Sequence, residues 1–419
     1  MNWLNTFISS LPKKVPPLAI IALLIPVWIP GALLVTFLRL LWLFTRRKTF
    51  TAFKLHSPLL LLGIFALAYL LIQSIGLTIT DDLPNGIFNL QQKLSLLLFP
   101  LLFAAESARG SIQVKNILTF FCTGTFLLSL FILLRAFYRW SNGEGSEVFH
   151  YMSLAHPLHP SYLSAYLCLA LGVLFNPLSE PAKSEATYLK SFRFLLMPLG
   201  LIMLYLLQSK AGILVAMGIA VGGFTIWFIM NFRNYSRQRK TIIFLLFIVL
   251  STATIWQLRD SRFSAMISTL KSEKQTADPS DSNELRLRIW QTGLRLFSEH
   301  WLVGYGAGDV KHVLKKAYLN QGMKYAAAHE LNAHNQFLQT ALGGGIMQLL
   351  FLLAYLLTPL LAGTSANRWI SVVLLIILML NMLFESYFES QWGIVFATFF
   401  MAMLATPVQS EKSNLIPTS

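Results

Sequence analysis

Apolar residues along this chain come in long uninterrupted blocks, not in the alternation of a half-buried strand or the single stripe of a soluble helix. TIIFLLFIVLSTATIW follows Lys240, and SVVLLIILMLNMLF begins at Ser371. With their flanks, such blocks approach the roughly 20 apolar residues that a bilayer-crossing helix needs. The pattern predicts an all-α, polytopic membrane bundle of about twelve spans. Residues 15–44 read as a tight hairpin broken near Pro26 and Pro30, or as one kinked helix. Further spans are predicted near 57–76, 89–105, 115–137, 158–177, 192–208, 211–230, 240–256, 343–362, 369–386 and 388–406. The 89–105 block is short and is expected to lie partly in the interface.

Between these blocks the polar residues are sorted by sign. Basic connections at Arg46–Lys48, Arg109–Lys115, Lys183–Arg193 and Arg233–Lys240 fall on one side if the spans alternate, and that side is expected to be cytoplasmic. Asp81–Asp82, the 139–157 connection and the long 257–342 segment fall on the other. Both termini are then predicted to face the cytoplasm. Three regions result. They are a transmembrane bundle over 1–256, a large periplasmic loop over 257–342, and a C-terminal part over 343–419 with transmembrane helices and a short cytoplasmic tail. Inside the loop, LRLRIWQTGLRLFSEHWLV reads as an amphipathic helix near the membrane surface. Leu285, Ile289 and Leu296 recur at helical spacing, and Trp290 and Trp301 suit the interface. GYGAGD predicts a turn, and DVKHVLKKAYL a second, basic helix.

Composition changes this picture little. Of 419 residues, 55% are hydrophobic and 12% charged, against about 25% charged in a soluble domain. The net charge of +15 is concentrated in the short loops, so it is no sign of a nucleic-acid partner. The first apolar run lacks a small-residue cleavage pattern, so no cleavable signal peptide is expected. Cys122 and Cys168 sit in apolar runs and read as packed thiols. There is no phosphate-loop motif and no nucleophile elbow. Acids within the spans are scarce, although Glu385 and Glu389 near a span end leave a proton-coupled transporter open.

The residues able to do chemistry gather at predicted outer span ends. Lys210 follows Ser209 between two spans, where it can hold an anion beside a helix N-terminus, and Gly212 would let a ligand come close. Arg286 and Arg288 are two apart and do not share a helix face; a guanidinium suits a phosphate. His334 precedes an apolar span and is the candidate base. Glu330, four residues earlier, is expected to share its helix face and orient it, and Asn335 to bind an acceptor hydroxyl. His329 is a second candidate base. His156, His159 and Tyr162, in HYMSLAHPLHPSY, are expected to contact sugar or diphosphate. No metal site is predicted: His329–Glu330 lacks the second histidine of a zinc-peptidase helix.

Taken together, HPSY at 159–162, QSKAG at 208–212, RLRIW at 286–290, GYGAG at 304–308 and HNQFLQTALGGG at 334–345 resemble the O-antigen ligase and polymerase family of bacterial envelope glycosyltransferases. The resemblance covers nearly the whole chain. Relatives most often carry arginine where this chain has Lys210, and the first arginine of RLRIW matches best, which favours Arg286 over Arg288. The resemblance implies a GT-C-like fold, an inner-membrane location and no cofactor. It also implies a donor glycan on undecaprenyl diphosphate. Lys210 and Arg286 would hold that diphosphate, and His334 would take a proton from the acceptor. The implied acceptor is a lipid A–core sugar for a ligase, or another glycan for a polymerase. A lipid-linked glycan transporter is the non-enzymatic alternative.

Overall fold

The computed structural model describes residues 16–45, 57–110, 112–176, 187–231, 282–361 and 365–406, with the single positions 236, 238 and 241. Every regular element among them is helical. The chain opens with α1 (Pro17–Val27) and α2 (Ile29–Phe44), followed by α3 (Ser57–Gly76), α4 (Leu83–Lys93), α5 (Ser95–Ser107) and α6 (Val114–Ser141). A short α7 (Tyr151–Ala155) leads into α8 (Pro160–Leu174), α9 (Thr187–Leu207) and α10 (Lys210–Asn231). Then come α11 (Ser282–Glu299), α12 (Val310–Asn320), α13 (Lys324–Ala328), α14 (Gln336–Leu357), α15 (Ser365–Phe384) and α16 (Gln391–Ala405).

Six helical stretches among the described residues are long and apolar enough to cross a membrane: Pro58–Gly76, Leu83–Ser107, Val114–Ser141, Ala211–Met230, Gln336–Leu361 and Asn367–Phe384. Five shorter apolar helices pack among them, including Pro160–Leu174 and Gln391–Ala405. The span expected at 240–256 lies outside the described residues. The 15–44 block is two helices parted at Trp28, whose extended backbone falls between Pro26 and Pro30. Proline nitrogens cannot donate, so the helical ladder is weakest there. The block expected at 89–105 begins earlier, because Asp82 caps α4 by accepting from the Asn85 N–H. A break at Leu94 then separates α4 from α5.

Two separate cores hold the described chain together. The larger runs through the bundle around α8 and α16, where Tyr166, Phe396, Phe399 and Phe400 are fully buried. Phe99 and Phe103 of α5 meet Phe399 edge-on. The smaller core belongs to α11–α13 and the first turns of α14, joining Ile289, Leu314, Tyr318, Leu338 and Leu342. The α11 stripe of Leu285, Ile289 and Leu296 faces inward to that small lobe.

The lobe is stitched to the bundle by main-chain bonds. At Gly344 and Gly345 the α14 backbone leaves helical geometry. The lobe's 301–306 stretch fills the interruption: Tyr305 N–H donates to Leu342 O at 2.8 Å, Gly306 N–H to Gly343 O at 3.0 Å, and Ile346 N–H to Trp301 O at 2.8 Å. Gly345 has φ +69, and a Cβ there would stand 2.1 Å from Leu302 O, so only glycine fits. On the bundle side, Asn85 and Asn89 donate to Gly308 O and Ala307 O. Asp309 accepts the N–H groups of Asp81 and Asp82.

Candidate active site

Five stretches of chain converge where the lobe meets one end of the bundle. The first is the start of α8. His159 caps this helix, its Nδ1 accepting from the Ser161 N–H at 3.3 Å, and Pro160 occupies the first turn, where a missing donor costs nothing. The second is the tight α9–α10 junction. Ser209 is buried, and its Oγ meets Ser164 Oγ at 3.0 Å and accepts the Gly212 N–H at 3.2 Å. A Cβ at Gly212 would stand 2.5 Å from Ser164 Cβ, so this glycine lets α8 come close to α10.

The third stretch is α11, which presents Arg286. The fourth is the 332–335 segment ahead of α14. Asn332 Oδ1 accepts the His334 N–H at 3.0 Å, and Gln339 Oε1 accepts the Ala333 N–H at 3.1 Å. The fifth is the end of α15, where Phe384 and Glu385 stop the span. Together Tyr151, His159, Ser161, Gln208, Ser209, Ala211, Arg286, Phe384 and Glu385 line a cleft of about 50 Å³.

Glu385 is the hub. Its Oε1 accepts from Arg286 Nη2 at 3.1 Å, and its Oε2 lies 3.4 Å from His334 Nδ1. Its side chain is only 14% exposed. Burial works against the ionised carboxylate. The hydrogen bond from His334, with the charges of His159, Arg286 and His334, outweighs burial and holds the carboxyl below its ordinary range. Burial also holds His159 below the usual histidine value, with Glu385 pulling the other way. With His334 Nδ1 directed at Glu385, the Nε2 lone pair is the one left to accept a proton.

Backbone strain gathers at the same place. Among the described residues, four non-glycine residues adopt left-handed backbone, namely Tyr151, Gln208, Glu330 and His334. Tyr151 and Gln208 line the cleft, and His334 bonds to Glu385. Such conformations cost of order 1–3 kcal/mol each and cluster at working sites.

Of the residues singled out from sequence, His159, Arg286 and His334 meet around Glu385. Lys210 opens α10 between Ser209 and Ala211, both of which line the cleft. Tyr162 lies beneath His159, its ring 6.2 Å from the imidazole and 5.0 Å from Tyr387. Others are placed elsewhere. Arg288 pairs with Glu284 at 3.3 Å. His156 is exposed on the turn after α7. His329 is exposed, stacks on Tyr325 at 4.2 Å, and places Nδ1 2.9 Å from the Tyr325 carbonyl.

One expectation needs correction. Glu330 shares no helix with His334: both have positive φ, the chain between them is irregular, and Glu330 pairs with Lys311 and Lys315. The carboxylate beside His334 is Glu385. Asn335 caps α14, its Oδ1 accepting from the Leu338 N–H at 3.0 Å. Glu385 was the residue to find. The signal was an acid inside LFESYFES, between two apolar spans, where an unpaired carboxylate is expensive and so needs a partner.

A helical membrane protein with a histidine–carboxylate–arginine cluster at one end of its bundle is thus defined by fold and site. Residues 195–353 match the family model described as O-antigen ligase, so this stretch is similar to the corresponding part of that family. The match includes Lys210, Arg286 and His334, while His159 and Glu385 lie outside it. No curated protein matches the chain.

Proposed function

We propose that the chain is an inverting glycosyltransferase that moves a glycan from undecaprenyl diphosphate to a lipid A–core sugar hydroxyl at the periplasmic face of the inner membrane. The observation that carries this reading is the Glu385 cluster, in which one carboxylate holds an imidazole on one side and a guanidinium on the other. The match to an O-antigen ligase model supports a lipid-linked glycan as substrate.

In this reaction the acceptor hydroxyl gives its proton to His334 Nε2 as its oxygen bonds to the anomeric carbon. The bond from that carbon to the diphosphate oxygen breaks on the opposite face, and its electron pair leaves with the diphosphate. Configuration at the anomeric carbon inverts. Arg286 and Lys210 neutralise the charge gathering on the leaving diphosphate. Glu385 keeps Nδ1 of His334 protonated and stabilises the imidazolium that forms, as the buried carboxylate does in hydrolase triads. Arg286 is held by Glu385 before the donor arrives, so the diphosphate takes up a guanidinium already in place. His159 forms the wall beside the donor sugar, backed by Tyr162 beneath it.

The test is transfer by purified protein from a lipid-diphosphate glycan. His334→Ala is expected to abolish transfer while membrane insertion is unchanged; normal transfer by that variant would remove the assigned base. Lipid-linked glycans from a deletion strain separate the two acceptor classes. Loss of long chains from lipid A with polymer still on undecaprenol means ligase, whereas accumulated single repeat units mean polymerase.

A further inference from the structure

The loop that carries Glu385 is fastened from beneath by a charge pair to which the reaction assigns no role. Lys93 ends α4 inside a membrane-crossing stretch, with only 5% of its side chain exposed. Its Nζ bonds to Glu389 Oε1 at 2.8 Å. An ion pair buried this deeply adds little net stability compared with apolar side chains of the same size. Its place in the structure points to a different role.

Glu389 lies four residues after Glu385 in one compact turn. The Tyr387 N–H donates to the Glu385 carbonyl at 2.9 Å, and the Glu389 N–H to the Ser386 carbonyl at 3.0 Å. Moving Glu389 therefore moves the backbone of Glu385. From the opposite side, fully buried Gln336 accepts the Phe388 N–H at 2.6 Å and donates through Nε2 to Thr340 Oγ1 at 3.0 Å. Gln336 is two residues after His334. The turn bearing Glu385 is thus tied to α4 by an ion pair, and to the segment bearing His334 by an amide.

We propose that Lys93, through Glu389, is a positioning residue that sets Glu385 at the height where it meets Arg286 and His334 together. This rests on the reading of Glu385 as the holder of His334. Without the tie, the turn can settle against either partner alone, and the base loses its fixed orientation.

The test uses the full chain in lipid nanodiscs and measures kcat, KM for the lipid-diphosphate donor, and kcat against pH. Lys93→Met/Glu389→Gln removes both charges at once, so the net charge near the site is unchanged. The field then changes far less than when one charge is removed alone, so a large loss reports geometry. The expected result is a kcat lowered at least about tenfold, since a misplacement near 1 Å costs on that order or more. Donor KM is expected to change far less. The acid limb of kcat is expected to shift, because the contact through which Glu385 stabilises the imidazolium of His334 lengthens. Lys93→Arg, which keeps the pair, is expected to retain most of the rate. Gln336→Met loosens the turn without touching a charge and is expected to reproduce both changes at smaller size.

A folded double variant with wild-type kcat and acid limb, beside a Glu385→Gln variant that has lost transfer, overturns the positioning role alone. If Glu385→Gln also transfers normally, the reading of the site itself fails. If the double variant does not accumulate, wild-type behaviour of Gln336→Met overturns the proposal.

Discussion

Two carboxylates compete for the role of partner to His334, one on the surface of the lobe and one at the mouth of the bundle. Glu330 is four residues away in the chain, is 38% exposed in its side chain, and is held by Lys311 and Lys315 at 2.6 and 2.7 Å. Glu385 is 51 positions away, is 14% exposed, and lies against His334 itself. The lysine clasp on Glu330 is a solvated pair of the kind worth little. The clasp on Glu385 is screened from water and joins three segments remote in sequence. Chain distance predicts a contact only while the backbone stays helical, and left-handed φ at Glu330 and His334 ends that here.

The largest effect should come from the imidazole. His334→Ala is expected to lower transfer by about 10²–10⁴-fold, the range for loss of a general base, measured as kcat with purified protein. Glu385→Gln should follow, at roughly 10²-fold or more in kcat, because the amide can present the wrong group to Nδ1. If Glu330→Gln costs as much as Glu385→Gln, the contrast drawn between the two acids collapses. Arg286→Ala is expected to cost on the order of 10²-fold, shared between kcat and donor KM, with Arg286→Lys restoring part of it.

Acidity gives a finer contrast. The folded-state pKa of Glu385 is depressed, so its contribution to stability and to the ionised site is complete above the ordinary carboxylate value and is lost as pH falls through the depressed one. Transfer should therefore not depend on Glu385 protonation until pH drops below the ordinary carboxylate range, which a kcat–pH profile with Glu385→Gln as control would show. Glu330 is drawn down to about 2 by its hydrogen bonds with Lys311 and Lys315. Its small contribution is present above 4.5 and fades as pH falls toward about 2, with transfer changing less than about twofold in Glu330→Gln. A thermal melt of the lobe against pH would follow it.

Much of the bundle was legible because lipid demands apolar blocks and proline interrupts them, as at Pro26 and Pro30 around Trp28. The α11 stripe was legible as a stripe, but not the surface it meets, since periodicity marks which face is buried and not against what. At the site, the polar clusters at 159–162, 208–212, 286–290 and 334–335 were visible as outliers in an apolar chain. Glu385 was visible too, yet its partners are remote in sequence and no local spacing rule reaches them. Asn335 and Gly212 each also satisfy a local demand of their own helix, a cap and a close crossing, which no long-range pattern announces.

The glycine interruption in α14 carries a consequence for biogenesis. The carbonyls of Leu342 and Gly343 and the amide of Ile346 find their partners in residues 301–306, a stretch the ribosome delivers earlier. A chain relieved of its lobe would leave three α14 backbone groups without these partners, each costing about 1–3 kcal/mol wherever it stays buried. The two regions must therefore be completed together, and excising the lobe would disable the membrane half along with it.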